Sequence, residues 1–324
     1  MVVQKERKLP LILESLEAMD IRLPNGHSIK PTILADLTKW RVGFSGERKL
    51  EYFLSFFQDK EFHIFHDLKI SVGSKTFQID TLIVSACVMI IIEVKNWSGT
   101  VLFDGEFEQV IRSLNGFDEG MRNPISQVLL QEIQLKEWME QNKFPSIPII
   151  PLVVFSNPKT IIKTTRFNSN ISKRVLHGYN VPIKIQKLLT AYTTEHFSKT
   201  NIRKITKLLL KSHFEKVQDT LSGYNVKKSE LVRGIHCPSC KLIGMIRKNH
   251  YWTCPNCLFK SPDAHIFSVR HYALLISQTF TVAEIAQFLN VSRYAAYRII
   301  KQLNLPNEKS NTKATTYFYE VSEG

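Results

Sequence analysis

Cys237-Pro238-Ser239-Cys240 and Cys254-Pro255-Asn256-Cys257 are separated by 13 residues, and this double Cys-x2-Cys spacing constrains the fold more tightly than any other feature of the chain. Two close thiolate pairs, each on a tight turn, can enclose one tetrahedral metal ion, Zn2+ above all. Four sulfur ligands leave no open coordination position, so the spacing predicts a structural zinc ribbon over residues 236–262. Tyr251 and Trp252 would lie on the strand feeding the second pair. Disulfides are the competing use of such cysteines, but they belong to oxidising compartments. The N-terminus mixes Lys5, Glu6, Arg7 and Lys8 with Leu9–Leu13 and is then cut by Glu14 and Glu17, a poor signal peptide. A cytoplasmic protein is therefore expected. Cys87, left over, reads as a buried small apolar residue, and His236 and His265 are not needed as ligands.

The most apolar stretches, 83–94 and 147–155, fall far short of the roughly 20 residues a bilayer requires and read as buried strands rather than membrane spans. Three strand-like segments, 62–70, 76–85 and 88–97, are followed by a turn at Ser98 and Gly99. A helix opened by a proline is predicted over 124–142, then a strand over 149–155. Before them, Leu50, Phe53, Leu54 and Phe57 recur at helical intervals, which predicts a helix from Gly46 to Phe57 with Ser45 as its cap and Glu47 in its first turn. Helix, three strands, helix and strand describe an α/β sandwich around one sheet.

Alternation along a strand puts Glu93 and Lys95 on one face with Val94 on the other. If a two-residue loop at Ala86 and Cys87 joins the second and third strands, cross-strand partners have numbers summing to 173, and Asp80 lies opposite Glu93. Two carboxylates and an ammonium then converge within a few ångströms. Hard oxygen ligands suit Mg2+ or Mn2+, with Glu47 a further ligand from the neighbouring helix and Lys95 orienting water or stabilising developing phosphorane charge. Ordinary strand-end charges paired with one another are the alternative. The loop lacks the Gly or Asn usual in such turns.

Four segments in order, Gly43-Phe44-Ser45-Gly46-Glu47, Gln78-Ile79-Asp80-Thr81-Leu82-Ile83-Val84, Glu93-Val94-Lys95-Asn96-Trp97-Ser98-Gly99 and Asn123-Pro124-Ile125-Ser126-Gln127, closely resemble the nuclease-related domain (NERD) family of the PD-(D/E)xK nuclease superfamily. The resemblance covers about residues 40–158. It implies a restriction-endonuclease-like core, with Glu47, Asp80, Glu93 and Lys95 at the acidic and lysine positions. Gln127 resembles the helix-borne Gln of the pattern, placed to position substrate or the lysine. Family members usually turn on Gly or Asp-Gly where this chain has Ser85-Ala86-Cys87-Val88.

Charge divides unevenly along the chain. Residues 1–160 carry 18 Lys and Arg against 20 Asp and Glu, whereas residues 161–324 carry 25 against 9. Such a basic half points to a polyanionic partner, because phosphate neutralisation dominates nucleic-acid affinity. Residues 159–235 form a basic, largely helical region with a helix-like run at 200–214, either a DNA-tracking surface or a solvated face. Within 268–305, Thr281-Val282-Ala283-Glu284 has capping-box spacing, Asn290-Val291-Ser292 makes a turn, and a second helix follows to Leu303, with Ala286, Val291 and Ile299 at the crossing. This resembles bacterial helix-turn-helix domains, and its exposed face would offer Arg293, Tyr294, Tyr297, Arg298 and Lys301 to DNA. Residues 1–39 read as a partly helical lead-in without chemistry, and 306–324 as a tail.

The expected fold class is thus α/β, a restriction-endonuclease-like core followed by a basic helical region, a zinc ribbon and a helix-turn-helix. The expected function is a Mg2+-dependent deoxyribonuclease targeted by its basic half. The alternative is a non-catalytic DNA-binding protein that uses the nuclease fold as a scaffold. RNA stays open as a partner through the ribbon, no membrane partner is expected, and no sequence signal fixes an oligomeric state.

Overall fold

The computed structural model describes residues 1–57, 61–165, 169–308 and 314–321. Two compact units divide the chain: Met1–Lys8 with Val42–Phe214, and Leu9–Arg41 with Glu215–Gly324. The mixed α/β class expected from the sequence is found. None of the described helices is long and apolar enough to cross a membrane.

The chain opens with β1 (Val2–Lys5), α1 (Leu11–Arg22) and α2 (Lys30–Leu54). In the first unit they are followed by β2 (His63–Val72), β3 (Lys75–Val84), β4 (Met89–Lys95), β5 (Thr100–Phe103), β6 (Val110–Leu114), β7 (Phe117–Met121), α3 (Pro124–Gln141), β8 (Ile149–Phe155), β9 (Ile161–Thr164), α4 (Ser169–Arg174), β10 (Val175–His177), α5 (Val181–Ala191) and α6 (Lys199–Ser212). A six-stranded sheet runs β1-β2-β3-β4-β8-β10. Its central strand β4 is apolar on both faces because both are covered. Ile90, Ile92 and Val94 meet Leu50 and Leu54 of α2 and Ile185 of α5. Met89 and Ile91 share the opposite core with Val128 and Leu135 of α3 and Ile205 and Leu209 of α6.

Two features depart from the sequence expectation. First, the helix predicted from Gly46 runs from Lys30, so Ser45 lies inside it rather than capping it, and Glu47 is not in a first turn. Ser45 and Gly46 are weak helix formers and mimic a boundary. The glycine is needed for another reason: a Cβ at position 46 would fall 2.4 Å from Asn96 Cβ and 2.7 Å from Ser156 Oγ. Second, the unit has two sheets, not one. Strands β7-β6-β5-β9 form a four-stranded sheet, three of them between the predicted turn at Gly99 and the predicted helix at Pro124. Its sequence signal is Asn115-Gly116, a two-residue hairpin loop with Leu114 paired to Phe117 and φ of 53° and 83°, the geometry Asn-Gly favours. The segment read as a lead-in also supplies β1, parallel to β2, and the basic region contains β9 and β10 besides its helices.

The second unit holds α1 and residues 30–41 with α7 (Thr220–Gly223), β11 (Ile246–Lys248), β12 (Tyr251–Thr253), β13 (Lys260–Ser261), α8 (Ala264–Leu275), β14 (Thr279–Phe280), α9 (Val282–Leu289), α10 (Arg293–Gln302), β15 (Asn307–Glu308) and β16 (Thr316–Phe318), and its core is built from α1, Ile33 and Leu37, α7, β12, α8, β14, α9 and α10. Strands β14-β16-β15 make a small sheet flanking the last two helices, so part of the expected tail is ordered structure. Arg22 is wholly buried here, donating to the carbonyls of Val232 (3.0 Å) and Gly234 (3.1 Å) and lying over the Phe288 ring.

Candidate active site and metal centre

The β3–β4 hairpin has the register read from the sequence: Thr81 pairs with Ile92, Leu82 with Ile91, Ile83 with Ile90 and Val84 with Met89. Its turn needs no glycine because Ser85 braces it. The Ser85 hydroxyl donates to the Val88 carbonyl at 2.7 Å and accepts from the N–H groups of Val88 (3.1 Å) and Cys87 (3.3 Å). Cys87 itself is half-buried rather than buried.

One step beyond the Thr81–Ile92 pair, the Asp80 carboxylate accepts a hydrogen bond from the Val94 N–H at 2.9 Å. Glu93 is only 2% exposed, and both its oxygens are engaged: Oε1 by Lys95 Nζ at 2.6 Å, Oε2 by Gln131 Nε2 at 2.8 Å. Lys95 also donates to Gln127 Oε1 at 3.2 Å. Glu93, Lys95 and Gln127 therefore meet beside helix α3, and Asp80 is tied to the same strand through the Val94 N–H, near enough to feel Glu93 and Lys95 electrostatically. Asn123 starts that helix by accepting from the Ile125 N–H at 2.9 Å, with Pro124 at its first position. Gln131, absent from the sequence reading, sits four residues beyond Gln127 on the same helical face; its Oε1 is buried with no hydrogen-bond partner among the described residues.

Glu47 reaches the site from α2 but is held by Arg7, whose guanidinium also donates to Glu51 Oε1 at 3.0 Å and to the Asp80 carbonyl at 2.8 Å. Sequence reading gave no hint of Arg7, 40 residues from Glu47. Electrostatically the site is crowded with negative charge. Burial, reinforced by Asp67 and Glu93 and opposed by Arg7, pushes the Glu47 carboxyl up to about 7. Burial, then Glu93 and Glu47, raise Asp80 well above the usual carboxylate range, against the pull of the Val94 N–H. His66, against Arg7, falls to about 3 through burial first and the neighbouring cation second.

The donor set fits a hard divalent cation: oxygen ligands only, and two acids whose protons are favoured by burial and by one another's proximity, a penalty that a dication would remove. The carboxylates of Glu47, Asp80 and Glu93 are nonetheless not gathered as closely as the cysteines. Among the described residues, Cys237, Cys240, Cys254 and Cys257 are the group of such ligands whose donor atoms all lie within 4.8 Å of one another.

The cysteine centre has internal symmetry. The Lys241 N–H donates to the Cys237 carbonyl at 2.9 Å and the Leu258 N–H to that of Cys254 at 3.1 Å. Each donor lies four residues after its cysteine, and both are left-handed, with φ of 65° and 60°. Cys237 Sγ is 3.6 Å from Cys257 Sγ, and Cys240 Sγ is 3.6 Å from Cys254 Sγ. A tetrahedron with Zn–S bonds of about 2.3 Å has S–S edges of ~3.8 Å. Trp252 is buried behind the centre and donates to His265 Nδ1 at 3.0 Å. His236 Nδ1 faces Ser268 Oγ at 3.1 Å. Neither histidine belongs to the sulfur cluster.

Helices α9 and α10 are capped as read from sequence. Thr281 and Glu284 form both halves of a capping box, Asn290 takes a left-handed cap, and Ser292 accepts from the Ala295 N–H. Ala286 and Ile299 are buried and Val291 packs beside them. Arg293, Tyr294, Tyr297, Arg298 and Lys301 are all exposed, Tyr294 to 72%.

Residues 42–156 match a family model, that of the nuclease-related domain. No curated protein matches the chain, and neither does any solved structure.

Proposed function

We propose that the chain, whose residues 42–156 match the nuclease-related domain, is a Mg2+- or Mn2+-dependent deoxyribonuclease delivered to DNA by its basic C-terminal half. The observation that carries this reading is the linked group on the β3–β4 hairpin, where Lys95 bridges Glu93 and Gln127 and Asp80 accepts from the Val94 N–H between Glu93 and Lys95. Asp80 and Glu93 are the residues that would hold the cation. When bound there, it would polarise the phosphodiester and acidify a bound water.

The side chains divide the remaining work. Lys95, with Gln127 and Glu93 fixing its ammonium, orients the attacking water or offsets negative charge as the phosphorane develops. Gln131 fixes the Glu93 carboxylate from the opposite side. The Val94 N–H orients Asp80. Glu47 supplies a further carboxylate, restrained by Arg7.

The four cysteines are assigned to Zn2+, with a structural role because all four positions are taken by sulfur. Arg293, Tyr294, Tyr297, Arg298 and Lys301 on α10 are assigned to phosphate and major-groove contacts. Lys199, Arg203, Lys204, Lys207 and Lys211, all exposed on or beside α6, add a basic stripe on the first unit. RNA is the second nucleic-acid candidate, through the ribbon.

A non-catalytic DNA-binding role draws on one observation, the looser gathering of the three carboxylates compared with the cysteines. One experiment separates the two: full-length protein with linear, circular and single-stranded DNA, in Mg2+, Mn2+ or EDTA. Cleavage that requires the cation supports the nuclease. Binding without cleavage under any metal supports the scaffold.

A further inference from the structure

Arg7 precedes the matched domain by more than thirty residues, yet its side chain is buried at the candidate site, 2% exposed. Each guanidinium nitrogen is used. Nη1 binds Glu47 Oε2, and Nε donates to Glu51 Oε1 at 3.0 Å. Nη2 donates to the Asp80 carbonyl at 2.8 Å and to Thr81 Oγ1 at 3.1 Å, and lies 3.2 Å from His66 Nδ1. Glu47 and Glu51 are one helical turn apart on α2, so a single planar fork grips one face of that helix.

These contacts join two of the three elements that carry the site's acids, α2 and β3. One end of the fork fixes the helix at Glu47. The other fixes the strand β3 at the main chain of Asp80 and the hydroxyl of Thr81, whose own Oγ1 donates back to the Asp80 carbonyl at 2.8 Å. Among the described residues, the hydrogen-bond anchor of the Asp80 carboxylate is the Val94 N–H. A lysine could neutralise the same carboxylates but could not span helix and strand at once, because its ammonium is a point donor and the guanidinium a rigid fork. The strand β1, paired with β2, delivers Arg7 to this point.

We infer that Arg7 is a positioning residue of the cation-binding site: it sets the separation of Glu47 from Asp80, and the working nuclease unit begins with residues 1–8 rather than at residue 42. The inference rests on the reading of Asp80 and Glu93 as cation-holding residues. It concerns where the acids are held, and Arg7 itself touches neither substrate nor cation.

The test uses the full-length chain and two substitutions, Arg7→Ala and Arg7→Lys, each checked for folding by circular dichroism and a thermal melt. Residues that orient the direct ligands of a metal typically alter affinity or activity by about 10–100-fold. Mn2+ affinity, read by electron paramagnetic resonance of the free ion, should therefore fall about tenfold or more in folded Arg7→Lys. The kcat for cleavage should fall by a similar factor while the KM for DNA stays unchanged. If Arg7→Ala does not fold, Arg7→Lys carries the test alone, since it keeps the charge and loses only the fork. A folded Arg7→Lys with wild-type Mn2+ affinity overturns the inference, even if wild-type protein cleaves DNA and so upholds the nuclease reading. Wild-type protein that binds Mn2+ without cleaving, together with an Arg7→Lys that binds Mn2+ weakly, upholds the positioning role and removes the nuclease. Wild-type protein that binds no Mn2+ overturns the inference.

Discussion

The main-chain N–H of Val94 donates to the carboxylate of Asp80 at 2.9 Å, so the strand that presents Glu93 and Lys95 also orients the acid on its neighbour. The two strands are tied through a side chain at the point where the regular ladder ends. Disturbing one acid therefore leaves the other strand's packing in place.

Lys95 separates enzyme from scaffold. Packing of β4 rests on Ile91, Ile92 and Val94, so Lys95→Ala should stay folded, but it leaves the buried Glu93 without its cation and should melt below wild type. Its cleavage rate should fall about a hundredfold, the scale for losing one electrostatic stabiliser of a transition state. Asp80→Ala should abolish cation-dependent turnover while DNA binding, measured by fluorescence anisotropy, is kept or tightened. A Lys95→Ala protein as active as wild type would remove the proposed active site.

Glu47 gives the site a pH signature. Its carboxyl is raised from 4.5 to about 7 in the folded protein, so the folded state prefers the proton. That preference stabilises fully below about 4.5 and is lost as pH rises through about 7. Glu47→Gln resembles the protonated acid and escapes the loss. In EDTA, the Tm of Glu47→Gln minus that of wild type should rise between about pH 5 and about pH 8; a flat or falling difference would contradict the shift.

For the cysteine centre, elemental analysis of reduced protein should find one zinc per chain. Cys254→Ser should lose it and expose residues 236–262 to proteolysis, since structural zinc contributes folding free energy directly.

Leu258 offers a finer measure of the same centre. It is 72% exposed and left-handed at φ 60°, a conformation that costs a side chain about 1–2 kcal/mol. Glycine removes that strain but gains freedom in the unfolded chain, about 0.4–1 kcal/mol. Leu258→Gly should therefore leave the ribbon equally stable or up to ~1.6 kcal/mol more stable, read as slower zinc loss to a chelator. Faster loss would show that the leucine side chain, not the backbone, supports the turn.

DNA affinity should depend on α10. Replacing Arg293, Arg298 and Lys301 together by Ala should weaken binding and flatten its salt dependence, by about 0.9 in the log–log slope for each phosphate that is no longer neutralised. An unchanged slope would place the phosphates elsewhere, the basic face of α6 being the next surface to test.

How much of this was legible in the sequence depended on range. The β3–β4 register, the Pro124 start of α3, the capping box at Thr281 and the cysteine spacing all depend on residues within about twenty positions of one another, and each is legible in the sequence. Helix α2 was misread because its local signals, Ser45 and Gly46, resemble a boundary, while the reason for Gly46 lies fifty residues away at Asn96. Arg7 was invisible for the same cause, its partners being spread from Glu47 to Thr81. Gln131 could have been found, since a second amide one turn beyond Gln127 is a helical-face signal. So could the β6–β7 hairpin, from its Asn-Gly loop.

The Ser85 brace has a consequence for the order of assembly. It closes the β3–β4 hairpin over two residues, so the acids of Asp80 and Glu93 can be brought face to face by one of the shortest loops in the sheet. Arg7 must be recruited across 73 residues to reach Asp80, and long closures come late in folding. The two acids are thus neighbours before the guanidinium that ties the Asp80 main chain to α2 arrives. In stopped-flow refolding, Ser85→Ala should slow formation of the hairpin, whereas Arg7→Lys should speed unfolding and leave the refolding rate nearly untouched.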